Sequence, residues 1–167
     1  MVKKYIPNIL TFLNLSFGIL SIIQVINKYY LIAALFIIGA ALIDRYDGRI
    51  ARAFNVSSEI GKELDSLSDL ISFGVAPGFL IFFKYGLNDY LMGVAIMLFY
   101  IICGCYRLAK YNISNFEGVF SGIPITICGS VLAVLSLIVN MEMKIIVIVF
   151  MIMFGYLMIS KLKLKKI

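Results

Sequence analysis

Six long apolar stretches, parted by short polar breaks, take up nearly the whole chain. They run roughly from Ile9 to Ile26, Tyr30 to Ile43, Leu64 to Phe83, Tyr90 to Leu108, Ile123 to Val139 and Ile145 to Ile159. A membrane-spanning helix needs about twenty mostly apolar residues. Inside a bilayer every backbone polar group must be paired within the protein. The expected fold is all-α: a polytopic membrane protein with about six transmembrane helices. Of the 167 residues, 62% are apolar and 14% charged, whereas a soluble domain is about half apolar and about a quarter charged. No room remains for a soluble domain, so residues 1–167 read as a single membrane domain. The first stretch lacks a small-residue cleavage site and follows directly on Pro7 and Asn8, which argues against a signal peptide.

Basic residues set the orientation. Lys3, Lys4, Arg45, Arg49, Arg52, Lys62, Arg107, Lys110, Lys161, Lys163, Lys165 and Lys166 fall on one side of the expected spans, against Lys28, Lys84 and Lys144 on the other. By the positive-inside rule both termini are cytoplasmic. The net charge of +6 then reflects cytoplasmic loops facing anionic lipid rather than nucleic acid. The Lys161–Lys166 tail reads as a cytoplasmic stop that also attracts anionic lipid, at about 1 kcal/mol per basic residue.

Histidine is absent, which excludes His-based acid–base chemistry, His metal ligands and Ser-His-Asp or Cys-His hydrolase layouts. Cys103, Cys105 and Cys128 lie in apolar stretches and read as packing residues. Any catalysis must rest on carboxylates, metal ions, Lys, Tyr or Cys.

The carboxylates are concentrated. Asp44, Asp47, Glu59, Glu63, Asp65 and Asp69 make up six of the nine acids. If the second helix continues past Ile43, Asp44 and Asp47 share one of its faces, at about 100° per residue. Gly61, Asp65 and Asp69 recur every fourth residue and share a face of the third helix, with Asp69 one turn deeper. A tight turn from Asn55 to Ser58 joins the two helices, with Ser57 or Ser58 as N-cap. Four aspartates thereby meet where membrane gives way to cytoplasm. Unpaired carboxylates there repel one another and resist ionisation, and divalent cations resolve the conflict. Oxygen ligands suit Mg²⁺, Mn²⁺ or Ca²⁺. Two metals on four shared carboxylates form a clamp for phosphate oxygens. Gly48, Ala51 and Gly61 leave space for a phosphate ligand, and Arg52 offers it a positive fork. Arg45, Arg49, Glu59 and Glu63 read as ordinary interfacial charges.

The segment D-R-Y-D-G-R-I-A-R, eight residues, then G-K-E-L-D-S-L-S-D, from Asp44 to Asp69, resembles the signature of the CDP-alcohol phosphotransferase family at every fixed position: D-x-x-D-G-x-x-A-R, eight residues, G-x-x-x-D-x-x-x-D. A narrower resemblance is to integral-membrane phosphatidylserine synthases. It rests on I-P-N-I-L-T-F-L-N-L (Ile6 to Leu15), the run from Ser57 through S-F-G-V-A-P to Pro77, R-L-A-K-Y-N (Arg107 to Asn112) and G-I-P-I (Gly122 to Ile125). Relatives often read R-L-A-R-F, so Lys110 and Tyr111 depart from the pattern.

The resemblance implies transfer of a phosphatidyl group from CDP-diacylglycerol to L-serine, releasing CMP. It implies that Asp44, Asp47, Asp65 and Asp69 hold two divalent cations, Mg²⁺ or Mn²⁺. It assigns CDP contacts to Asp44, Gly48, Arg52, Gly61 and Asp65, and the role of general base to Asp69. Arg107 and Lys110 are candidates for the acceptor's carboxylate. A homodimer in a prokaryotic plasma membrane, with its site facing the cytoplasm, completes the expectation. Other acceptors, such as glycerol 3-phosphate or inositol phosphate, and archaeal ether lipids stay open alternatives. A divalent-cation transporter fits less well, since the last three spans carry few polar residues.

Overall fold

The computed structural model describes residues 6–54, 58–113, 119–160 and 163–165, and side chains over 8–46, 58–113 and 122–160. Helix α1 spans Ile6–Ile26 and α2 spans Tyr30–Phe54. Next comes a continuous helical rod, made of α3 (Glu59–Asp69), a π-helical segment (Leu70–Val75) and α4 (Ala76–Lys84). Helices α5 (Leu91–Ile113), α6 (Ile125–Ile138) and α7 (Lys144–Ile159) follow. Each expected apolar stretch is thus helical. By length and hydropathy α1, the α3–α4 rod, α5 and the segment Met141–Ile159 are long and apolar enough to cross a membrane, and α6 is shorter.

Two features lie outside the sequence reading. Val119–Ser121 (β1) and Lys163–Lys165 (β2) form a small antiparallel ribbon, pairing Val119 with Lys165 and Ser121 with Lys163. The basic tail therefore folds back onto the α5–α6 connection. The third stretch is also not a uniform α-helix. It widens to π geometry immediately after Asp69.

The packing follows from residue size. Thr11, Asn14, Gly18, Ser21 and Val25 are all buried, at alternating spacings of three and four along α1. This is the inward stripe of a helix, made mostly of small or polar residues. In a bilayer, helices associate through close packing and interhelical hydrogen bonds rather than hydrophobic transfer. Ser21 donates to the carbonyl of Ala33 across 2.9 Å, and Ala33, Ala34, Ile37 and Ala40 of α2 are fully buried. The π segment is clasped from two sides. Ser72 donates to the backbone carbonyl of Asn14 across 2.9 Å. On the other side α6 approaches so closely that a Cβ at Gly129 would lie 2.5 Å from the Phe73 carbonyl oxygen.

Gly74 looks toward Ile125 of α6, and Gly78 toward Met97 and Ile101 of α5. Cys103 and Cys128 are buried and Cys105 is exposed, all as free thiols. At the end remote from the aspartates, Lys84 donates to the carbonyl of Ser136 and the Tyr85 hydroxyl to that of Val139 across 2.9 Å. These two groups take up carbonyls at the C-terminal end of α6, where a helix has no intrahelical donors left.

Candidate active site

The site is assembled by α1, α2, the α3–α4 rod and α5. Helix α3 starts on a defined cap: Ser58 has extended backbone geometry, and its hydroxyl accepts from the Gly61 N–H across 3.0 Å. Glu59 in the first turn complements the positive helix end. This cap sets the rotation of α3 and with it the direction of Asp65 and Asp69.

Asp44 of α2 joins Asp65 and Asp69 in one group: each offers a carboxylate oxygen, and these oxygens lie within 4.8 Å of one another. Asp44 and Asp65 are half-buried, whereas Asp69 is only 8% exposed. Three carboxylates that close are the donor set of a hard divalent cation. The side chains of Asp47, Gly48, Arg49, Ala51 and Arg52 lie outside the described residues, as do Asn55 to Ser57. Arg45, Glu59 and Glu63 are exposed, which suits interfacial charges. Gly61 has a local role: a Cβ there would come within 3.0 Å of the Ser58 hydroxyl and 3.4 Å of Asn8 Oδ1. Its missing side chain lets the cap and α1 close together.

Asp69 has a partner that the sequence reading missed. Asn14 Nδ2 donates to Asp69 Oδ1 across 3.1 Å, inside the protein. Asn14 is 1% exposed, and its Oδ1 is buried with no hydrogen-bond partner among the described residues. Leaving a buried acceptor unpaired costs about 1–3 kcal/mol. The signal was available, because Asn14 interrupts an apolar span in register with Thr11, Gly18 and Ser21.

Helix α5 closes the site from the other side. Arg107 lies within electrostatic reach of Asp69. Its guanidinium sits 6.0 Å from the Tyr111 ring centroid, and its Nε is buried without a hydrogen-bond partner among the described residues. Lys110 is exposed. Ser66 and Asn112 exchange hydrogen bonds at 3.2 and 3.0 Å. Lys62 donates to the Asn112 carbonyl across 2.9 Å and lies 5.6 Å from the Tyr111 ring centroid. These contacts pin the end of α5 to α3, and so hold Arg107 beside the acidic group.

Comparison with known proteins places the chain in a family. A model of the CDP-alcohol phosphatidyltransferase family matches residues 4–162. The chain is 37% identical to a Bacillus subtilis protein named CDP-diacylglycerol–serine O-phosphatidyltransferase, over 96% of this chain and 89% of the relative. A Methanocaldococcus jannaschii protein of the same name is 35% identical, over 96% of this chain and 74% of its own. A Helicobacter pylori protein of that name is 32% identical, over 94% of this chain and 70% of the relative.

Proposed function

Since the chain belongs to the CDP-alcohol phosphatidyltransferase family, we propose that it transfers the phosphatidyl group of CDP-diacylglycerol to L-serine, yielding phosphatidylserine and CMP. The observation that carries this reading is the convergence of Asp44, Asp65 and Asp69, in a chain similar along almost its full length to proteins named for that reaction.

Asp44, Asp47, Asp65 and Asp69 hold two divalent cations, Mg²⁺ or Mn²⁺, which when bound supply charge neutralisation at the pyrophosphate. Asp44, Gly48, Arg52, Gly61 and Asp65 contact the CDP group. Arg52 adds a bidentate donor for phosphate oxygens. Asp69 accepts the serine hydroxyl proton as that oxygen bonds to the lipid-side phosphorus. The bond from this phosphorus to the bridging oxygen breaks, and CMP leaves. The depth of Asp69 supports this role, because a buried carboxylate meets the proton away from bulk water. Arg107 takes the serine carboxylate: it brings a buried N–H, without a hydrogen-bond partner among the described residues, to within electrostatic reach of Asp69. The exposure of Lys110 favours Arg107 over it. The family resemblance supports a homodimer. The distribution of Lys and Arg supports a plasma-membrane protein whose site faces the cytoplasm.

The test is CMP release and lipid-product formation by purified protein in detergent with Mn²⁺ or Mg²⁺. L-serine, glycerol 3-phosphate and inositol phosphate are offered in parallel, with Asp69→Asn as control. Phosphatidylserine formed only with serine, and lost in the control, is the expected result. Product from another alcohol alone would overturn the acceptor and keep the chemistry.

A further inference from the structure

Asn14 stands outside the aspartate motif, on a different helix, and nothing in the reaction proposed above uses it. Its carboxamide is nonetheless built into the acidic group. Nδ2 holds Asp69 Oδ1 at 3.1 Å. The backbone of Asn14 is tied in turn to the rod that carries Asp69: Ser72, three residues further on, donates to the Asn14 carbonyl across 2.9 Å. Gly18, one turn along α1, makes this approach possible, since a Cβ there would lie 2.5 Å from the Ser72 hydroxyl oxygen. Asp69 is therefore held through its own carboxylate and through the helix behind it.

The second observation is the orphaned Oδ1 of Asn14, buried on the amide that holds Asp69, with no donor among the described residues. The amide nitrogen is turned toward Asp69 Oδ1, to which it donates, since the nitrogen is the amide's donor and the oxygen its acceptor. The amide oxygen is then left facing elsewhere. A hydrated divalent cation brings O–H donors, since Mg²⁺ in particular keeps several of its waters. An orphaned acceptor on the amide that holds Asp69, itself one of the three grouped carboxylates, suits such an ion.

We propose that Asn14 is a positioning residue of the cation site, fixing the Asp69 carboxylate through Nδ2 and offering Oδ1 to a donor in the cation's hydration shell. The inference rests on the metal-dependent reading above but concerns cation binding rather than acceptor choice. Residues that orient metal-binding carboxylates typically alter affinity by about 10–100-fold when removed.

The experiment is Mn²⁺ binding to purified protein in detergent, read by electron paramagnetic resonance without substrate, for wild type, Asn14→Leu and Ser21→Ala. Ser21 is buried on the same helix, but its hydroxyl serves Ala33. Asn14→Leu should weaken Mn²⁺ binding about tenfold, with Ser21→Ala close to wild type. Should Asn14→Leu fail to fold, Asn14→Ala removes the amide without added bulk and carries the same expectation. Unchanged Mn²⁺ affinity in the folded Asn14 variant, or an equal loss in Ser21→Ala, would overturn the proposal, and so would a wild type that binds no Mn²⁺. Failure to make phosphatidylserine, with the Mn²⁺ difference intact, would count against the acceptor alone.

Discussion

The Tyr100 hydroxyl donates to the backbone carbonyl of Phe73 across 2.8 Å, deep between α5 and the π segment. Phe73 lies in the π segment, where the α-helical ladder is interrupted, and Pro77, four residues on, has no N–H to offer it. A side chain from another helix adds a donor there, as is usual where proline is tolerated in a membrane helix. Tyr100→Phe should therefore destabilise the fold by about 1 kcal/mol, read as a lower thermal midpoint in detergent. An unchanged midpoint would mean that another donor reaches Phe73.

The acidic group should respond to neutralisation one residue at a time. Asp44→Asn, Asp65→Asn and Asp69→Asn keep side-chain shape and remove charge. Each should lower turnover by a factor of about 100 or more while the protein still elutes as a folded species. The comparison is kcat at saturating CDP-diacylglycerol and serine. Near-normal turnover in Asp69→Asn would remove it as general base.

Chelation offers a separate check. Incubation with EDTA should abolish turnover, and excess Mg²⁺ or Mn²⁺ should restore it, because oxygen ligands bind these ions reversibly. Full activity after exhaustive chelation would exclude the cation-dependent reading.

Arg107 should report on the acceptor. Arg107→Ala should raise the KM for serine about tenfold or more, the scale of one charge-assisted hydrogen bond, and leave the KM for CDP-diacylglycerol nearly unchanged. Arg107→Lys should recover only part of the loss, since a point charge lacks the planar fork. Equal rises for both substrates would point to a structural role instead.

The far end of the bundle should matter for stability alone. Lys84→Met removes the amine that serves the Ser136 carbonyl and keeps the apolar stem. It should lower the thermal midpoint and leave both KM values unchanged, because Lys84 ends the α3–α4 rod about four helical turns beyond Asp69.

The sequence by itself determined the helical, membrane-embedded class, the family and the aspartate spacing. These are one-dimensional properties: apolar runs long enough to span a bilayer, and carboxylates recurring at the period of a helix. They placed Asp65 and Asp69 on one helical face and named Ser58 as a possible cap. The partners across helices needed the tertiary structure. Asn14 meets Asp69 from 55 residues away, and Tyr100 serves Phe73 across 27, in both cases through contacts that no local period encodes. The widening of the rod after Asp69 and the folding back of the basic tail belong to the same class. Proline signals a break in the ladder of hydrogen bonds, but only the packed neighbours decide how the freed carbonyl is satisfied. An asparagine in an apolar span likewise signals a hidden polar partner, and only the meeting of α1 with the α3–α4 rod says which one.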